Sequence, residues 1–151
     1  MKKIILTIIM MIAWAGSMSA QTVDDLFKEF KGKTNVEYIE VPQMMMWFAK
    51  AFVKNNDGDD FMKRIHHIKT INIENDSELC EAFAQKAKSL NRNGYETMVS
   101  SNEDDEKTLI LVKTKKDNIT EMVILNIEPN DCSLTQIKGK LRPSDFEKLN
   151  N

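Results

Sequence analysis

At 151 residues, 42% hydrophobic and 29% charged, the chain has the length for one globular domain and too little for two sizeable ones. Its 23 acidic and 21 basic residues give a formal charge of −2 without a long basic tract, which excludes the electrostatic footprint of a nucleic-acid binder. With only 5 Gly and 3 Pro it is neither collagen-like nor low-complexity, and its apolar content is too high for a disordered chain.

The first twenty residues carry the pattern of a secretory signal peptide: Lys2 and Lys3, an apolar run from Ile4 to Ala15 broken only by Thr7, then Gly16-Ser17-Met18-Ser19-Ala20. Twelve residues of helix span about 18 Å, short of the ~30 Å hydrocarbon core, so no permanent membrane anchor is expected. Cleavage is expected after Ala20, with Ser19 as the second choice, and no Cys lies near the junction to carry a lipid. Residues 21–151 then form a single domain in the periplasm or outside the cell. Loss of Lys2 and Lys3 leaves 19 basic residues against 23 acidic ones, a formal charge of −4.

The mature chain opens with a helix. Thr22 is its cap, Asp24 and Asp25 sit in its first turn, and Val23, Leu26, Phe27 and Phe30 share one face before Gly32 stops it. Val36 to Val41 is a strand ended by Pro42, followed by a helix whose stripe is Met44, Trp47, Phe48, Ala51 and Phe52. Asn55 to Gly58 breaks that helix. A short helix over Asp59 to His66 and a strand over Ile68 to Glu74 follow. Ser77 is expected to cap a third helix with Leu79, Phe83, Ala87 and Leu90 inward, ended by Asn93-Gly94. Tyr95 to Ser100, Thr108 to Lys113, Ile119 to Ile127 and Ser133 to Leu141 are four strands separated by turn compositions, hence an antiparallel meander. Leu109 to Val112 and Met122 to Leu125 are apolar on both alternating faces and belong at the sheet centre. Residues 143–149 add a terminal helical turn. The expected class is α+β, with helices packed on one face of a mainly antiparallel sheet.

This arrangement resembles domain of unknown function 4252, a family of small exported proteins of Gram-negative bacteria. The residues that carry the likeness are Leu26-Phe27, the helix after Pro42, the strand from Ile68 to Ile73, Tyr95-Glu96-Thr97-Met98, and Leu134-Thr135-Gln136-Ile137-Lys138-Gly139-Lys140-Leu141. The resemblance implies export and an α+β domain and brings no activity, cofactor or catalytic residue.

Reactive constellations are scarce. Asn55 to Asp60 resembles a calcium loop, but with Gly58 at the sixth position the first and twelfth are Val53 and Arg64, where carboxylates are required. Asp57, Asp59 and Asp60 are expected to be a solvated loop and cap, as is the acidic turn Glu103 to Glu106. His66 and His67 are adjacent, so their side chains diverge and do not chelate one metal by themselves; at the end of a short helix they would favour its negative pole. Met44-Met45-Met46 is soft-metal chemistry by type and core filling by position. Lys138, Lys140 and Arg142 are a solvated strand end. Gly-x-Ser-x-Gly, phosphate-loop, Cys-x-x-Cys and His-Glu-x-x-His patterns are all absent. Cys80 and Cys132 are the only thiols, and an exported compartment permits them to pair as a disulfide.

These features point to a non-catalytic, cofactor-free interaction module with an envelope protein as partner, reached through an uncovered sheet face or edge. The competing readings are a metal-assisted or hydrolytic enzyme using Asp57, Asp59 and Asp60 with His66 or His67, and a carrier with an apolar pocket of roughly 300 Å³ or more.

Overall fold

The computed structural model describes residues 21–46 and 59–147, the side chains of 59–61 and 146–147 excepted. The signal-peptide segment, Trp47, Phe48, Ala51, Phe52 and Asp57 therefore lie outside the described residues. The helices are α1 (Val23–Phe30), α2 (Asp59–Arg64), α3 (Ser77–Lys88) and α4 (Pro143–Glu147), and the strands are β1 (Val36–Val41), β2 (Ile65–Ile73), β3 (Glu96–Glu103), β4 (Glu106–Lys115), β5 (Asn118–Ile127) and β6 (Cys132–Leu141). Residues 43–46 are also helical. All six strands join one antiparallel sheet in the order β1-β2-β6-β5-β4-β3.

Local chemistry starts the first helix. The Thr22 hydroxyl accepts from the Asp25 N–H at 3.1 Å while the Asp25 carboxylate accepts from the Thr22 N–H at 3.0 Å, so two otherwise orphaned donors are satisfied reciprocally. The cap of α3 is Asp76 rather than Ser77: its carboxylate accepts from the Leu79 N–H at 2.9 Å and from the Asn35 amide at 3.1 Å, tying the start of α3 to the turn before β1. An ionised carboxylate beside the helix N-terminus is the stronger acceptor of the two neighbours.

The cross-strand register explains why the central strands are apolar throughout. On one face, Val36, Ile73, Cys132 and Ile127 form a row across the sheet, and Tyr38, Ile71, Leu134, Leu125 and Leu109 form the next. These residues pack beneath α1 and α3 in a cluster that includes Leu26, Phe30 and Phe83. The Phe30 and Phe83 rings meet edge to face at 5.1 Å, and each ring contributes about 1.5–3 kcal/mol by burial. Side chains alternate along a strand, so the intervening positions reach the opposite face. There Val41, Ile68, Ile137, Met122 and Val112 form a row at the other end of the strands, covered by Met46 and Met62 together with Ile65 and Leu141. Met62 comes from α2, so α2 belongs to this second cluster while α1 and α3 belong to the first. The sheet thus has two cores, on opposite faces and at opposite ends.

The same alternation corrects three expectations. Met46, 2% exposed, fills the second core while Met44 is 72% exposed, because the turn in which the Met46 N–H donates to the Pro42 carbonyl at 3.0 Å sets the phase of that helical segment. On α3 the expected inward residues Phe83, Ala87 and Leu90 are buried, but at its first turn Cys80 is the buried residue and Leu79 only half-buried against the same core. Finally, α2 stops at Arg64 and β2 begins at Ile65, so His66 and His67 are strand residues, not the end of a helix. The ladder between β2 and β6 captures them, with a bulge between Ile65 and His67.

Gly139 makes that junction possible. It pairs with Ile65, and a Cβ there would collide with the Arg64 carbonyl oxygen and lie 3.1 Å from the Ile65 Cα. Arg64 in turn pairs with Asp145 of α4, whose other carboxylate oxygen accepts from the Arg142 N–H at 2.8 Å. Burial alone would raise the Asp145 carboxyl, but hydrogen bonds from Arg64 and the Arg142 N–H outweigh it and hold the group below its ordinary range.

Gly139→Ala is expected to lower stability by about 2–4 kcal/mol, while Gly32→Ala, with open space around it, should change it by about 0.5 kcal/mol or less in either direction. Urea unfolding midpoints check both. A carboxylate whose folded pKa is lowered stabilises above its unfolded value near 3.9 and loses that contribution as pH falls through the folded value. Stability should therefore drop on acidification below about pH 4, and Asp145→Asn should lower the pH 7 midpoint and flatten this acid dependence.

Candidate functional site

Of the acidic loop and histidine pair that the sequence singles out, the structure describes the two histidines. Asp59 and Asp60 open α2 with side chains outside the described set, and Asp57 lies outside it altogether. His66 is half-buried in β2. The His67 ring meets Glu40 at 2.9 Å from Nε2, and the Tyr38 hydroxyl donates to the other Glu40 oxygen at 2.7 Å. Those bonds, from Tyr38 first and His67 second, hold the Glu40 carboxyl below its ordinary range. Burial, with the Glu40 bond added, pushes Tyr38 up to about 12. This trio occupies the β1-β2 edge as a structural clasp. Among the described residues no group of three or more His, Cys, Asp or Glu side chains is placed to share a metal ion. Clefts in the described surface are lined largely by polar side chains: one of about 400 Å³ is bordered by Asn72, Glu74, Asn126 and Asp131, among others.

Cys80 on α3 and Cys132 at the start of β6 are brought together. Both are buried, at 1% and 4% exposure. The Cys132 sulfur lies 3.9 Å from the Cys80 carbonyl oxygen and 3.7 Å from that of Glu128, either of which can accept from its S–H. Burial pushes both thiols up and keeps them protonated at neutral pH.

The best-organised polar cluster involves residues that sequence reasoning passed over. Glu121 of β5 and Gln136 of β6 follow the alternation phase of Val123 and Leu134, so both point to the face that carries the first core, and they are 9% and 2% exposed. Glu121 Oε1 accepts from the Tyr95 hydroxyl at 2.7 Å and from the Gln136 amide at 2.6 Å. Its Oε2 lies 3.6 Å from Lys113 Nζ, which also stands 4.3 Å from the Tyr95 ring centroid. Burial first, then the Glu121 bond, pushes the Tyr95 phenol well above its ordinary value, so it acts as a hydrogen-bond donor and not as a base. The register explains the grouping, because Lys113, Glu121 and Lys138 are cross-strand neighbours. Beside them, at the N-terminal end of α1, is a cavity of about 290 Å³. The signal that could have found this site was a glutamate and a glutamine in the inward phase of otherwise apolar strands.

A second feature is the edge strand β3. Seven of its eight residues are exposed, with Met98 at 50% and Val99 at 39%. A bulge falls between Thr97 and Val99, and from Val99 the pairing with β4 runs regularly to Glu103 at the turn.

No curated protein matches the sequence. The family model Domain of unknown function (DUF4252) matches residues 30–149, from the end of α1 past α4. That match spans most of the chain, and the protein belongs to this family.

Proposed function

We propose that this protein is an exported, non-catalytic interaction module of the cell envelope that takes an extended segment of a partner protein along β3. The observation that carries the reading is the exposure of seven of eight β3 residues in a strand with β4 on one side and no described strand on the other. An edge strand offers unpaired N–H and C=O groups to an incoming strand, and affinity by this route comes from main-chain hydrogen bonds. Met98 and Val99 supply apolar contact. Glu96, Glu103, the turn residues Asp104 and Asp105, and Glu106 at the start of β4 are acidic, so the fitting partner is an apolar strand with Lys or Arg at its ends. Export rests on the residue pattern of 1–20, and the polar cluster is consistent with a non-catalytic role because its carboxylate is already engaged by three donors.

A photoreactive amino acid placed at Met98 should give a discrete adduct with an envelope protein. Val99→Lys should weaken that adduct at least fivefold, and a probe at exposed Lys28 on α1 should give none. Equal adducts from both positions, or no effect of Val99→Lys in a variant with an unchanged melting midpoint, would sink the reading. Fractionation and N-terminal sequencing should recover a chain starting at Gln21 outside the cytoplasm. In that compartment exchange with a small-molecule disulfide during folding, before the thiols are buried, should join Cys80 and Cys132 as an intramolecular bridge and release two equivalents of its own thiol; non-reducing peptide mapping after alkylation checks the pairing.

A further inference from the structure

We infer that Gln21 is a modification site: once residues 1–20 are removed, its α-amine closes onto its own side-chain amide, and the mature chain begins with a pyroglutamate lactam. This rests on the proposed cleavage after Ala20 and is independent of the β3 edge. Gln21 is half-buried and its main chain is tied down. It forms an isolated parallel bridge to Leu90, in which its N–H donates to the Ser89 carbonyl at 3.0 Å and its carbonyl accepts from the Asn91 N–H at 2.7 Å. The new terminus therefore lies against the residues that follow α3.

Hydrogen-bond demand at this position favours the lactam. A peptide or lactam nitrogen carries one N–H, and the Ser89 carbonyl is its acceptor among the described residues. Cleavage without ring closure puts an ammonium group there, with three donors and a full positive charge. That charge would stand two residues before Val23, where α1 begins and where the helix dipole has its positive pole. The carboxylates of the first turn already have partners: Asp25 accepts from the Thr22 N–H at 3.0 Å, and Asp24 lies 3.8 Å from Lys69. Lactam formation removes the charge and keeps the single N–H.

The side chain supports the same reading. Gln21 Oε1 is buried without a hydrogen-bond partner, which is costly and leaves that oxygen unrestrained. In the reaction the α-amine nitrogen attacks Cδ and a C–N bond forms. The Cδ–Nε2 bond breaks, and Nε2 leaves as ammonia with the proton lost by the amine. No oxidant or co-reactant is consumed. Both reacting groups belong to one residue, so nothing from outside has to reach the buried oxygen.

The test uses the full chain expressed with residues 1–20 and recovered outside the cytoplasm. Tandem mass spectrometry, which reads a blocked terminus, should find an N-terminal peptide starting at Gln21 and lighter than the unmodified one by about 17 Da, the mass of the ammonia lost. An amine-acylating reagent should label the lysines and leave this terminus untouched. Gln21→Glu, whose carboxylate is a far poorer leaving site, should restore a labelled terminus at the same position. In a ¹⁵N spectrum the native Gln21 lactam N–H should give a resonance protected from solvent exchange by its bond to Ser89. A terminus at Gln21 with unshifted mass and a reactive amine would overturn the inference and leave the export reading standing. A chain that starts elsewhere would overturn both. A lactam N–H that exchanges as fast as that of a free peptide would overturn its assigned place against Ser89.

Discussion

The constraint on which the architecture depends is the two-residue period of a strand applied to a sheet whose described helices cover neither face along its full length. Ten-residue strands such as β4 and β5 present apolar side chains on both faces. Two short helices over one half of one face cannot cover them. The solution is diagonal: α1 and α3 cover one face at one end, and Met46 and α2 help to cover the opposite face at the other. Where each core stops, the rows turn polar. Glu37, Asn72, Ser133, Asn126, Thr108 and Ser101 cross the sheet behind the first core, and Lys138, Glu121 and Lys113 lie behind the second.

That diagonal also accounts for the polar cavity. Beyond the last apolar row of the first face, the inward phase is occupied by Gln136 and then Glu121, which lie too close to the core to be hydrated freely. Burying a carboxylate without partners is prohibitive, so Tyr95, Gln136 and Lys113 converge on it. The result is a rigid acceptor set at the edge of the core.

Much of this was legible in the residues. Thr22 with Asp24 and Asp25 specified the first helix through local hydrogen bonding alone, and its inward face was read correctly from spacing. The strands of the C-terminal half were found because β-branched runs separated by turn residues need no tertiary information. The misreadings have tertiary causes. Nothing local distinguishes a short helix ending at His66 from one ending at Arg64, because the choice is made by pairing with β6 and by the room that Gly139 leaves at the junction. Met44 and Met46 are chemically identical, and only the position of the sheet decides which is buried. The Glu121 and Gln136 pair is not legible from residue type, because only the phase shared with Val123 and Leu134 turns these two polar side chains inward.

Two cores on opposite faces have a consequence for fidelity. In a sheet with one dry side, slippage of a strand by one position exchanges its wet and dry halves once. Here the same slippage of β5 would expel Val123 and Leu125 from one core and Met122 from the other in a single step, with polar neighbours such as Thr120 and Asn126 drawn inward to replace them. Mispaired alternatives are therefore penalised twice, and the native alignment is insulated from its nearest competitors even though each core is small.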